Sequence, residues 1–194
     1  ESIDQQVRVT LPLFPFRTMH TTLTRLRQQT VTPSPEEFLR RHPGAWVQFF
    51  DDTPEHKHAL ALSCPRYDAI VARRKQQAGC GVFYSLQMFE HARTKENCVL
   101  FRNLGVDVDL GPSDDGKEAY LTSRLRRFPL IPHWITETSR GFHLVYRLTP
   151  TRDPRRFADG VELNRRLVRA LGGDSKAVLL TQVFRVPGTW HRKD

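Results

Sequence analysis

The chain has 194 residues, enough for one compact domain with a sizeable core. Thirty Lys and Arg stand against 21 Asp and Glu, a net charge of +9; such a balance favours polyanionic partners, nucleic acid first, because basic surface displaces counterions from phosphates. No apolar run approaches the roughly 20 residues that cross a bilayer, no charged-then-apolar leader precedes residue 20, and Cys64, Cys80 and Cys98 lack the paired spacing of a structural zinc site, so a cytoplasmic protein with free thiols is expected.

Residues 1–44 read as an amino-terminal arm with short helices, and residues 45–194 as the core on which the arm packs. In the arm, Leu11, Leu13, Phe14, Phe16, Arg25 and Arg27 follow no clean period. Ser34-Pro35-Glu36-Glu37 then sets a capping hydroxyl, a first-turn proline and two acids before Phe38 and Leu39, which predicts a short helix ending near His42-Pro43-Gly44. Residues 45–50 and 58–62 read as strands around the turn cluster Asp51-Asp52-Thr53-Pro54. Tyr67, Ile70 and Val71 lie at helical spacing within residues 65–77, and Gly79 supplies the stop. Residues 82–86 form a strand, and residues 98–110 a long apolar one that Gly111-Pro112-Ser113-Asp114-Asp115-Gly116 terminates.

A helix is predicted over residues 117–127, then two antiparallel strands at 131–137 and 142–148 joined tightly by Thr138-Ser139-Arg140-Gly141. Asp153-Pro154 opens the best-defined helix, with Phe157, Val161, Val168 and Leu171 as its buried stripe and Gly172-Gly173 as its close. A last strand spans residues 182–186, ended by Pro187-Gly188. The chain opens on Glu1 and closes just after a basic cluster, as an excised domain would.

The chemistry concentrates in three places. Asp107 and Asp109 flank Val108 inside an apolar strand; because side chains alternate across a strand, both carboxylates share one face while Val106, Val108 and Leu110 take the other. Two such carboxylates repel unless a cation lies between them, and hard Mg²⁺ or Mn²⁺ with oxygen ligands suits phosphoryl transfer. Two acids at a strand end facing water give the same pattern. Ser139-Arg140-Gly141 then offers a hydroxyl, a guanidinium and backbone donors to a phosphate just ahead of His143. Finally Phe184-Arg185-Val186-Pro187-Gly188-Thr189-Trp190-His191-Arg192-Lys193 delivers positive charge from a strand through a rigid turn.

Asp107-Val108-Asp109, Ser139-Arg140-Gly141-Phe142-His143 and Arg185-Val186-Pro187-Gly188-Thr189 with Lys193, in this order, resemble the archaeo-eukaryotic primase superfamily, most closely the primase and primase-polymerase domains of plasmids, phages and other mobile elements. Gln48-Phe49-Phe50-Asp51-Asp52 and Gly172-Gly173-Asp174 match phrases of the same group, so the likeness spans residues 45–193. It implies a two-lobed α/β (α+β) fold with an RRM-like catalytic antiparallel sheet. It also implies primer synthesis on single-stranded DNA from nucleoside triphosphates, dependent on Mg²⁺ or Mn²⁺, with a replicative helicase as a possible companion.

By position, Asp107 and Asp109 would be metal ligands and His143 a triphosphate contact. Ser139, Arg140, Arg185 and Lys193 would be supporting nucleotide or template contacts. The superfamily's third acid comes from a strand near the last motif, yet residues 177–184 hold no carboxylate and Leu179 or Leu180 stands in one place for it; Asp174 is the nearest candidate for the third catalytic, metal-binding acid. Trp46, Phe83, Tyr84 and Trp190 are aromatic rings that stack on bases or pack in the core. Two other functions fit the same residues: a catalytically weak module that binds single-stranded DNA or an origin, and a metal-dependent nuclease.

Overall fold

The computed structural model describes residues 9–10, 33–56, 59–111 and 114–189. Among the described residues the first helix, α1 (Pro35–Arg40), starts where Ser34 Oγ accepts the Glu37 N–H at 3.1 Å and buries Phe38 and Leu39. Strands β2 (Ala45–Asp51) and β3 (Ala59–Cys64) pair antiparallel, and α2 (Ala69–Gln77) follows. That helix begins at Ala69, later than expected, because the Asp68 carboxylate takes the N–H groups of Ile70 and Val71 and so sets the cap.

Strands β4 (Cys80–Phe89) and β5 (Cys98–Asp109) come next, then α3 (Asp114–Ala119), which widens into a π turn over Tyr120–Leu125. This helix starts earlier than the expected residue 117. Strands β6 (Trp134–Thr138) and β7 (Gly141–Thr151) form the predicted hairpin, and α4 (Phe157–Leu171) and β8 (Val183–Arg185) follow. The short strand β1 (Val9–Thr10) adds to the free edge of β6. The rest of the predicted arm lies outside the described residues.

The sheet is antiparallel throughout, in the order β1-β6-β7-β5-β4-β2-β3 with β8 beside β4, and the class is mixed α/β. Strands β4 and β5 are ladder partners only at Met88–Leu100 and Phe89–Cys98. Past that point side-chain amides replace the ladder. Gln87 Nε2 donates to the Asn103 carbonyl at 2.7 Å, Gln87 Oε1 accepts the Arg102 N–H at 2.8 Å, and Asn103 Nδ2 donates to the Leu86 carbonyl at 2.6 Å. Each lost backbone bond inside the protein would cost a desolvated polar group, so the amides hold the fork open without that penalty.

Each strand takes a new neighbour beyond the fork. Residues 83–85 of β4 pair with β8. The freed edge of β5 meets α4 and its C-terminal turn: Asn164 Oδ1 accepts the Gly105 N–H at 3.0 Å, and the Asp174 N–H donates to the Asp107 carbonyl at 2.7 Å. Asn164 is the polar member of a helix stripe otherwise made of Phe157, Leu167, Val168 and Leu171.

Two apolar clusters follow from strand alternation. Leu104, Val106 and Val108 of β5, Phe142, Leu144 and Tyr146 of β7, and the α4 stripe form one. Val47, Phe49, Val82, Tyr84, Leu86, Phe184 and Val186 form the other with Phe38 of α1. Trp134 and Val145 reach this second cluster from the opposite face of β6 and β7. All three cysteines are free thiols, and burial raises each above its ordinary pKa, Cys98 to about 11.

Candidate functional site

On β5 the alternation is as the sequence requires. Val106 and Val108 are wholly buried, whereas the Asp107 and Asp109 side chains are 37% and 55% exposed on the other face. Cross-strand register then fills two rows. Thr136 of β6, His143 of β7 and Asp107 of β5 stand in one; Thr138, Gly141 and Asp109 stand in the next. His143 Nε2 lies 3.7 Å from Asp107 Oδ1, with the His143 side chain largely buried. Arg140, at the tip of the β6–β7 turn, donates from Nε to Asp109 Oδ1 at 3.0 Å, and the same oxygen accepts the Gly111 N–H at 3.0 Å. Ser139 sits half-buried beside Arg140 in that turn.

Only glycine suits position 141. Its Cα lies so close to β5 that a Cβ would overlap the Val108 carbonyl oxygen, and the Leu110 N–H reaches the Arg140 carbonyl at 2.7 Å across the same contact. This close approach brings the Ser-Arg turn and the two carboxylates together. Behind the sheet, Lys117 Nζ pairs with Glu137 Oε1 at 3.1 Å and ties the start of α3 to the end of β6. The pair has one signal in the sequence, a lysine among the polar positions of a first helical turn.

The remaining predicted residues are placed differently. Gly173 and Asp174 run along the freed edge of β5, so the backbone of Asp174 adjoins Asp107, but the Asp174 carboxylate accepts the Lys176 N–H at 2.8 Å and caps a short 3-10 turn. Phe184 and Arg185 leave opposite faces of β8. Arg185 turns toward Asp52, with Nη1 to Oδ2 at 3.5 Å, and its guanidinium lies 4.5 Å above the Phe83 ring. That pair is 8% and 2% exposed, and burial lowers the Arg185 pKa while Asp52 opposes the shift. Lys193 and Trp190 lie outside the described residues.

Of the other aromatic candidates, Trp46 and Tyr84 are core residues: Trp46 Nε1 donates to the Phe89 carbonyl at 2.8 Å, and Tyr84 is fully buried. Phe83 is covered by Arg185 and meets Phe50 edge-on.

No three His, Cys, Asp or Glu side chains are grouped closely enough to hold a metal among the described residues. Asp107 and Asp109 are two carboxylates on one face of β5. Such a pair fits Mg²⁺, which keeps several waters and completes its shell with substrate phosphates.

The sequence matches no protein-family profile and no curated protein. The fold has a solved counterpart. It is similar to the AEP domain of the cyanophage S-2L primase-polymerase, with a TM-score of 0.61 over 79% of this chain and 82% of that one, at 15% sequence identity. At that identity the likeness establishes the fold alone, an AEP-like arrangement of antiparallel sheet and helices. No helix among the described residues is long and apolar enough to cross a membrane.

Proposed function

We propose that this chain is the catalytic domain of a DNA primase or primase-polymerase from a plasmid, phage or other mobile element. It would act in the cytoplasm on single-stranded DNA, with nucleoside triphosphates as substrates and a helicase as a possible companion. The observation that carries the reading is the face shared by Asp107, Asp109 and His143, with Arg140 at its rim, on a fold of this kind. In this reading β2, β3, β4 and β8 belong to one lobe, and β1, β5, β6 and β7 form the RRM-like catalytic sheet of the other. Residues 45–194 are the core and residues 1–44 the arm packed on it.

The reaction joins a 3′-hydroxyl to the α-phosphate of an incoming triphosphate and releases pyrophosphate. Its rate depends on in-line positioning and charge neutralisation more than on covalent help. Asp107 and Asp109 would hold Mg²⁺ or Mn²⁺, which supplies that neutralisation when bound. His143, Arg140 and Ser139 would bind the triphosphate oxygens, and the basic surface would hold the template. Lys193 belongs to the same set of contacts by position, and Asp174 remains the proposed third acid, reached by giving up its cap on Lys176.

A second reading is a catalytically weak module that binds single-stranded DNA or an origin. One observation favours it: the Asp174 carboxylate is engaged in a cap, leaving two acids on the shared face.

Incubation with single-stranded DNA, labelled nucleoside triphosphates and Mg²⁺ or Mn²⁺, beside an Asp107→Ala, Asp109→Ala variant, separates the two. Short new oligonucleotides from the wild-type protein alone support the primase. DNA binding with no product under either metal supports the binding module. A triphosphate that raises the melting temperature argues against a nuclease, which gains nothing from binding one.

A further inference from the structure

Arg185 carries the sequence likeness in the last motif, and its neighbour Phe184 packs on a residue of the site. The Phe184 ring lies parallel to the His143 imidazole, with centroids 4.3 Å apart and planes 8° from parallel. Phe184 is 1% exposed and pairs in register with Tyr84 of β4, so the sheet fixes its backbone. On β5, two residues before Asp107, a Cβ at Gly105 would come within 2.8 Å of Phe184 Cζ. The absence of a side chain there gives the ring its seat. Three strands remote in sequence thus meet in one stack: Gly105 of β5, Phe184 of β8 and His143 of β7.

We infer that Phe184 is a positioning residue for His143. An imidazole on a strand has broad freedom about its outer torsion. A flat, immobile ring against one face removes most of it and leaves the edge bearing Nε2 directed at Asp107, 3.7 Å away. A parallel aromatic contact of this kind adds attraction beyond area burial. Any phosphate oxygen bound between Arg140 and His143 then meets a donor already oriented, which lowers the ordering cost of binding. This inference rests on the proposed triphosphate site.

The test is a double-mutant cycle on the full chain with a fluorescent nucleoside triphosphate, in which Phe184→Met and His143→Ala are made singly and together and each melting temperature is recorded. Phe184→Leu serves as a second variant should the first unfold. An oriented hydrogen bond to a charged group accounts for about a tenfold change or more in affinity. If Phe184 acts through the imidazole, the Phe184 change weakens binding several-fold while His143 is present and has no further effect once His143→Ala has removed the ring.

Equal weakening in both backgrounds, or none in either, overturns the inference. The imidazole proton resonances of His143 give a readout independent of the nucleotide: ring-current shielding by Phe184 in the wild-type protein, lost in either Phe184 variant. Unshielded resonances in the wild type also overturn it. Shielded resonances in a protein that binds no triphosphate overturn the proposed site instead and leave the orienting role standing.

Discussion

His42 makes acid stability a measure of burial in the second cluster. Its ring is 3% exposed and packs on Phe38 at 4.3 Å, Trp134 at 4.5 Å and Tyr84 at 5.0 Å. Nδ1 lies 2.9 Å from the Phe38 carbonyl, which accepts only, so the neutral tautomer carries its proton there; Nε2 is buried with no hydrogen-bond partner among the described residues. Burial, foremost, lowers its pKa from 6.5 to about 4; the Phe38 bond opposes this, and Arg102, Arg147 and Arg41 add to it. Between those values the unfolded chain binds a proton that the folded chain refuses, so stability falls as pH falls through this window and levels off below it.

A pKa difference of one between the folded and unfolded chain is worth about 1.4 kcal/mol, so the full effect is about 3 kcal/mol, of which about 2 kcal/mol is lost between pH 7 and pH 5. For a domain of this size that is a fall of about 4–8 °C in melting temperature. Thermal melts of wild type and His42→Phe across this range give the comparison. The variant keeps an aromatic ring in the cluster and strands no carbonyl, because Phe38 O also accepts the Arg41 N–H at 3.1 Å. Its melting temperature is expected to vary much less with pH. A smaller slope of the same sign will remain from His133, lowered by burial and by Arg147. Asp51, Asp153, Glu96 and Glu162 have lowered values and act below pH 5. If His42→Phe follows the wild-type profile, His42 is not the buried neutral group described here.

Gly141→Ala is expected to cost about 1–3 kcal/mol by overpacking, since the added Cβ meets the Val108 carbonyl and must push β7 away from β5 at the Asp109 row. A urea midpoint equal to wild type would show that the strands give way freely. Asp52→Leu is expected to cost about 3–5 kcal/mol, because it leaves the Arg185 guanidinium buried beside an apolar group, whereas Asp52→Leu with Arg185→Met should recover most of that loss. Guanidinium melts in which the double variant is no better than Asp52→Leu would refute the ion pair as the source of the cost.

Local chemistry made most of the fold legible. The Ser34 cap, the alternation around Asp107 and Asp109, the tight Ser139-Arg140 turn and the Gly172 stop each act within a few residues, and each lies where the pattern put it. The β6–β7 hairpin and the pairing of β5 with β7 then place His143 opposite Asp107. What the pattern leaves open is of a different kind. Whether Asp174 directs its carboxylate to the face of β5 or back onto Lys176 is decided by an Asx-type cap that a sequence containing Gly-Gly-Asp-Ser leaves open. Arg185 and Phe184 are adjacent, so which of them faces His143 depends on the face that β8 presents after pairing with β4, a register the last motif does not encode.

The fork between β4 and β5 explains why those register choices matter for the site. Continued pairing of the two strands beyond Met88 would cover the edge of β5 and leave β8 no place beside β4. Gln87 and Asn103, both buried, end that pairing by taking its hydrogen bonds onto their side chains. Beyond them β5 turns its Asp face toward Phe184 and its edge toward Asn164 and Asp174, so the carboxylates emerge where two apolar clusters part and remain open to solvent. Two amide side chains in the middle of apolar strands look like errors of patterning in the sequence. In the fold they are the reason that Asp107, His143 and Phe184 meet.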